Sequence, residues 1–197
     1  LRKPVASRRD NFRGDTQLKK MNLPAVGGKD YDSKFDRGHL APSADFAWSQ
    51  EANDATFFMT NMVPQRPNLN RGSWKKLEDQ VRHWACGEEV VTVISGPVMT
   101  AELPRMKSGL EIPQKFFKIV IDETPPRKIL AFIYNQSDAK VVKPSDRAVS
   151  ISEVIKQTGE DFGELTPEIR SPASRGPLHE WNSADCFPKA KKRSKAG

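Results

Sequence analysis

A chain of 197 residues with 37% hydrophobic side chains can build one sizeable core, or two small ones at most. No run of 18 apolar residues occurs, so no membrane partner is expected, and fifteen prolines with twelve glycines argue against an all-helical bundle. The net charge of +7 points to a polyanionic partner, but Lys189, Lys191, Lys192, Arg193 and Lys195 supply +5 of it and residues 1–13 a net +4, which leaves residues 14–188 at −2.

Residues 1–35 are polar and rich in turn formers, with Pro24 and Gly27-Gly28 predicting a loop. Their first ten residues lack the apolar run of a secretory signal, although a removed leader would leave no trace. Phe57-Phe58-Met59 is expected to form a short strand before a turn at Asn61. From Ser73 to Ala85, Trp74, Leu77, Val81 and Trp84 recur at intervals of three and four, which predicts an amphipathic helix stopped by Gly87. A strand follows at Val90–Ile94, ended by Gly96-Pro97. Phe116–Ile121 and Ile129–Tyr134 read as an antiparallel pair joined through Pro125-Pro126. A second helix is predicted from Ile151 to Thr158, with Ser150 and Glu153 as a capping box and Gly159 as its stop. Beyond it the chain reads as a loop anchored by Trp181 and Phe187. Antiparallel strands with a few separate helices make an α+β pattern. Cys86 and Cys186 form no zinc motif with each other or with His83 and His179, and the sequence leaves open whether they are bonded.

The chemistry concentrates in two segments. In Asp36 to Asp45, DRGHLAPSAD, His39 is a residue whose neutral imidazole accepts a proton near pH 7, Gly38 permits tight curvature beside it, and Arg37 supplies a guanidinium suited to phosphate. A lone histidine is more often an ordinary hydrogen-bonding residue, so it is the neighbours that raise its interest. In Asn61 to Glu78, Asn70 stands just ahead of the predicted helix, where its amide oxygen is a hard neutral ligand of the kind magnesium accepts beside several waters. An asparagine there is more commonly a cap. Glu78 lies eight residues on, about 12 Å along a continuous helix, so it is read as reaching the same ion through water, against the simpler reading of a surface glutamate paired with Arg82.

Asp36-Arg37-Gly38-His39, the Asn61-Met62-Val63-Pro64-Gln65 turn and the spaced Asn70, Trp74, Leu77 and Glu78 together resemble the DNA/RNA non-specific endonuclease family. The likeness extends through Arg8-Arg9-Asp10-Asn11-Phe12, Ser95-Gly96-Pro97 and Ile112 to Lys118, most of residues 8–165. It implies the ββα-metal, or His-Me finger, fold: a mainly antiparallel sheet flanked by helices, in a single nuclease domain over residues 1–188 with a basic flexible tail at 189–197. It implies His39 as general base, Asn70 as the direct ligand of Mg2+ (Mn2+ or another divalent cation being alternatives), Glu78 as a holder of metal water, Arg8 as the transition-state arginine and Arg37 as a phosphate contact. Arg9 could exchange roles with Arg8, and Asp36 reads as a structural aspartate that orders the loop. The family usually has a further N-terminal pair of strands before the RRDNF-like segment. This chain begins short of them, so another segment or subunit is expected to cover the sheet edge they would occupy.

The function implied is metal-dependent, sequence-independent hydrolysis of DNA and RNA to 5′-phosphate products. The alternatives are a catalytically silent nucleic-acid-binding module and a hydrolase of small phosphodiesters or nucleotides on the same fold. DNA and RNA are the expected partners, and the resemblance adds a homodimer and an inhibitor protein. A nuclease that reads no bases would endanger its host's cytoplasm, which favours a secreted or periplasmic bacterial enzyme over a mitochondrial one.

Overall fold

Two antiparallel sheets organise the structure, and the smaller one carries the motif that drew attention in the sequence. In chain order the computed structural model runs α1 (Thr16–Lys20), β1 (Asp36–His39), α2 (Gln50–Ala55), β2 (Met62–Gln65), a π-helical segment (Leu69–Trp74) continuing into α3 (Lys75–Gly87), β3 (Val91–Val98), β4 (Lys115–Asp122), β5 (Lys128–Asn135), β6 (Ala148–Val149) and α4 (Ile151–Thr158). It describes residues 3–88, 90–162, 181–184 and 186. β1 and β2 form the small hairpin, and the large sheet has the order β3-β4-β5-β6, antiparallel throughout.

The apolar runs of β4 and β5 are nearly continuous because both faces of the large sheet are covered. Phe116, Val120, Leu130, Phe132 and Tyr134 face one way and pack with Trp74, Leu77, Val81 and Trp84 of the long helix. Phe117, Ile119, Ile121, Ile129, Ala131 and Ile133 face the other way and meet Ile151 and Val154 of α4. Each such side chain removed from water contributes about 1.5–3 kcal/mol, so the sheet clamps the helix that bears Asn70 and Glu78.

Several elements depart from the sequence reading. Residues 57–59 are not a strand: Phe58 makes a single parallel bridge to Arg13, and Met59–Asn61 is a 3-10 turn. The Asn61 amide donates to the carbonyls of Ala41 and Thr56 and accepts from Ala41 N, which commits the segment to a turn and delays the strand to Met62. DRGH, where Gly38 suggests tight curvature, is an extended strand, β1 itself. Residues 1–35 contain α1, begun by the Asp15 carboxylate accepting from Gln17 N, and a 3-10 turn at Gly28–Asp30. β3 runs through Gly96-Pro97 to Val98, since an outer strand tolerates a missing N–H; Gly96 lets the Phe117 ring pass, which a Cβ would approach to 2.9 Å. Gly87 is the last residue of α3, and a side chain there would strike the backbone of Asn182, so a close approach selects glycine at this position.

α4 has the predicted span. Ser150 Oγ accepts from Glu153 N at 3.1 Å and Gly159 closes the helix at φ 71°, while the Glu153 carboxylate takes a hydrogen bond from Gln157 instead of completing the box. Cys86 and Cys186 are joined in a disulfide with Cα atoms 5.2 Å apart. Beside it Trp181 packs against Trp84, and Ala184 N donates to His83 O at 3.1 Å. Phe187, His179 and the basic residues 189–197 lie outside the described residues.

Candidate active site

The hairpin and the start of the long helix are brought together by one carboxylate. Asp36, the first residue of β1, accepts from Asn70 Nδ2 at 2.9 Å and from Arg71 Nε and Nη2 at 2.8 and 2.6 Å. Burial by itself would raise the Asp36 pKa, but the hydrogen bonds from Arg71 and Asn70 hold it below the usual value. Asp36 is thus the orienting residue the sequence suggested. It pins the amide nitrogen of Asn70. Asn70 itself lies inside the π segment, not ahead of the helix, and Ser73 Oγ helps anchor that segment by accepting from Val142 N at 3.0 Å.

His39 ends β1 and is only 8% exposed. Its ring meets Phe57 and Phe12 edge-on at 4.9 and 5.9 Å, and its carbonyl accepts from Trp74 Nε1 at 3.3 Å, which ties the hairpin to the helix. Nε2 is buried with no hydrogen-bond partner. Burial first and the Arg8 guanidinium second lower the His39 pKa to about 4, with Asp10 opposing, so the imidazole is neutral.

Arg8 Nε donates to Asp10 at 2.7 Å and Nη1 to Ser43 Oγ at 3.3 Å, and its guanidinium lies 5.2 Å from the centre of the Phe57 ring. Arg37 lies 4.5 Å over Phe12. Arg8, Arg37, His39, Asn70, Glu78 and Arg82 all line one cavity of about 500 Å3, with Asp36 and Arg71 on the same wall. Arg9 is not in that wall; its guanidinium lies 3.6 Å from Asp54. Of the adjacent pair, Arg8 is therefore the one placed at the cavity.

Glu78 does not pair with Arg82 in the simple way expected of a surface helix. Arg82 contacts Asp45 at 2.8 Å and Asp79, while Glu78 faces the cavity with its pKa pushed up to about 7 by burial, against the pull of Lys118. The sequence reading missed the roles of Asp10, Ser43, Asp45, Arg82 and Lys118. Only Lys118 left a trace, as the one charge inside an otherwise apolar strand.

The donor set fits a hard divalent cation. No group of three or more His, Cys, Asp or Glu side chains able to hold a metal exists among the described residues, which is unlike a zinc cage. One amide oxygen at Asn70 and one carboxylate at Glu78 open onto a polar cavity, and magnesium typically keeps most of its waters in such a setting.

The family model for DNA/RNA non-specific endonucleases matches residues 2–169. The chain belongs to this family. Its relatives include a nuclease of Nostoc sp., 34% identical over 177 residues that cover 84% of this chain and 64% of that protein. Mitochondrial endonuclease G of Homo sapiens is 35% identical over 133 residues, 60% of this chain and 42% of the relative. A nuclease of Serratia marcescens is 27% identical over 166 residues, covering 79% and 62%. The chain therefore spans less than two thirds of the length of each of these relatives. Among solved structures, a chain of the EndoG/EndoGI complex superposes with a TM-score of 0.75 at 21% identity, covering 85% of this chain and 75% of its own. The non-specific endonuclease fold, ββα-metal within an α+β class, is the fold found here, with β1, β2 and the π/α3 helix as the ββα unit.

Proposed function

We propose that this family member is a metal-dependent endonuclease that hydrolyses the phosphodiester bonds of DNA and RNA without regard to sequence and leaves 5′-phosphate ends. The observation that carries the reading is a neutral imidazole, His39, with its buried Nε2 free of protein hydrogen bonds, in the wall of a cavity that also presents the Arg8 and Arg37 guanidinium groups and the Asn70 amide. Such an imidazole can take a proton from an attacking water. Arg8 and Arg37 supply the positive charge a phosphate needs as it becomes pentacovalent, and the Asp10 and Ser43 contacts fix Arg8 in advance. Asn70 is the residue that would hold Mg2+ directly, and Glu78 the one that would reach it through water. When bound, such an ion neutralises phosphate charge and stabilises the leaving 3′ oxygen. None of these groups is a base-reading or 2′-hydroxyl-reading device, in keeping with activity on both nucleic acids.

The relatives include bacterial and mitochondrial nucleases, and a secreted or periplasmic bacterial setting fits an enzyme so broad in specificity. The EndoG/EndoGI structure concerns inhibition of EndoG, and an inhibitor protein and a homodimer are the further partners we assign here. The test is cleavage of supercoiled plasmid and structured RNA with Mg2+ and with EDTA. His39→Ala should lower turnover by about 10²–10⁴-fold while nucleic-acid affinity stays within a few-fold. Metal-independent binding with intact substrates would instead identify a binding module, and hydrolysis of a dinucleotide as efficient as that of a polymer would identify a small-phosphodiester enzyme.

A further inference from the structure

Phe35 is an aromatic side chain that no core claims. It stands just ahead of β1, is half-buried, and belongs to neither of the apolar clusters that pack on the large sheet. Its ring instead lines the polar cavity together with Arg37 and His39, the residues two and four places on. That alternation puts all three on one side of an extended chain. Phe12, the other phenylalanine of the wall, is already engaged: the Arg37 guanidinium lies 4.5 Å from its ring centre, and Phe57 and His39 meet it edge-on at 5.1 and 5.9 Å. Phe35 is backed by Arg66, whose guanidinium lies 5.5 Å from its ring centre and is not part of the cavity wall. The cation thus supports the ring from outside and leaves the cavity side to a ligand. An apolar face among guanidinium, carboxylate and amide groups suits a nucleobase, because every base has a π-face and stacking gives affinity without reading sequence.

The order of residues along β1 says which nucleotide would stack there. Asp36 begins the strand and His39 ends it, about 10 Å apart at the usual rise per residue. Asp36 is bonded to Asn70 and Arg71, so Phe35 stands at the Asn70 end of the cavity. Displacement at phosphorus is in line, with the attacking water and the departing 3′ oxygen on opposite sides. The water lies on the side of His39, which takes its proton, and Arg37 between the two residues grips the phosphate. The nucleotide that departs with its 3′ oxygen therefore extends towards Phe35.

We infer that Phe35 is a stacking platform for the base of the nucleotide that supplies the departing 3′ oxygen, which makes strands with unpaired bases the preferred substrate. The inference rests on the nuclease reading above, and its test separates the two. Single-stranded DNA labelled at its 5′ end and carrying one tetrahydrofuran abasic residue is cut in Mg2+, and the rate at each bond is compared with that in the same strand with the base present. The bond on the 3′ side of the abasic residue, where that residue supplies the departing oxygen, should slow about tenfold, the order expected for one lost base–aromatic stack. The bond on its 5′ side should change little. Phe35→Leu should lower kcat/KM on the intact strand about tenfold and should add almost nothing at the bond 3′ to the abasic residue, because the partner of the ring is already gone. Phe35→Trp should recover most of the rate and of the sensitivity to the missing base. A duplex of the same sequence, whose bases are held in their own stack, should lose less on Phe35→Leu than the single strand.

An unchanged rate at the bond 3′ to the abasic residue overturns the inference, and so does equal slowing on both sides, which would mark a general disturbance of the strand. An abasic effect that persists in full in Phe35→Leu, or an equal loss on single strand and duplex, overturns it too. Circular dichroism checks folding, and the bond-by-bond comparison on the unaltered chain decides the matter even if Phe35→Leu yields little folded protein. If the unaltered chain leaves the intact strand uncut in Mg2+, the nuclease reading itself fails and the role given to Phe35 falls with it.

Discussion

His39 is kept neutral by its own packing, and that has a cost the protein shows when acidified. Its pKa in the fold is about 4, against an ordinary value near 6.5 that it regains on unfolding. Between those limits the unfolded chain binds more protons than the native one, so this contribution to stability is complete above pH 6.5 and is lost as pH falls towards 4. A depression of that size is worth roughly 3 kcal/mol. Glu78 acts in the opposite sense. Burial lifts its pKa from 4.5 to about 7, so the native state holds the extra proton between those values and stability declines as pH rises through them. Over the shared range of about pH 4.5–6.5 the two slopes oppose, and the unaltered protein should show a shallow dependence. His39→Ala removes the imidazole's share and should lose stability steadily as pH rises from 4.5 to 7. Urea midpoints across that range decide the matter, and parallel curves for the two proteins would mean that His39 titrates at its ordinary value.

At the level of elements the hairpin depends on one missing side chain. Gly38 pairs with Val63 in the register, and a Cβ on Gly38 would overlap the fully buried Gln65 side chain. Gly38→Ala should therefore cost about 1–3 kcal/mol of stability through overpacking, and it should displace Arg37 and His39 enough to lower turnover in the folded fraction. Urea unfolding paired with plasmid cleavage tests both parts, and unchanged values in each would show that Gln65 can move aside. The sequence made Gly38 conspicuous by its place between Arg37 and His39 and suggested tight curvature there, whereas its strand pairing was not legible because the partner strand Met62–Gln65 is short and contains Pro64. The long helix was legible from Trp74, Leu77, Val81 and Trp84. Its π-helical start was not, since Asn70 is held there by tertiary contacts to Asp36 and through Ser73 to Val142 that leave no periodic signal. Asn70 and Glu78 were identified through the spacing of the family motif, whereas the Asp45–Arg82 pair depends on a turn and a helix meeting far apart in sequence.

Across the whole molecule, the large sheet was readable because β4 and β5 are buried on both faces and so show as apolar runs, with Pro125-Pro126 marking the turn between them. How the chain after α4 returns was not readable, because Trp181 and Cys186 gain meaning only against Trp84 and Cys86 at the far end of α3. That return is a strap. Trp181 is buried beside Trp84, Asn182 N donates to Glu88 at 2.9 Å, Gln80 reaches Ser183 at 3.2 Å, and the disulfide locks a segment 100 residues away in sequence to the helix end. Cross-linking a loop of that length removes much of the unfolded chain's freedom, and losing such a link typically costs about 2–5 kcal/mol. Cys86 follows Arg82 by about one helical turn, so the strap holds the end of α3 remote from Asn70, and the sheet clamps the rest of that helix independently. Reduction, or Cys86→Ser with Cys186→Ser, should thus lower the urea midpoint by an amount equivalent to about 2–5 kcal/mol while plasmid cleavage well below the unfolding range stays near its original rate. An unchanged midpoint would show that Trp181 packing alone secures the strap. A proportionate loss of cleavage in protein that remains folded would show that the end of α3 transmits to the cavity.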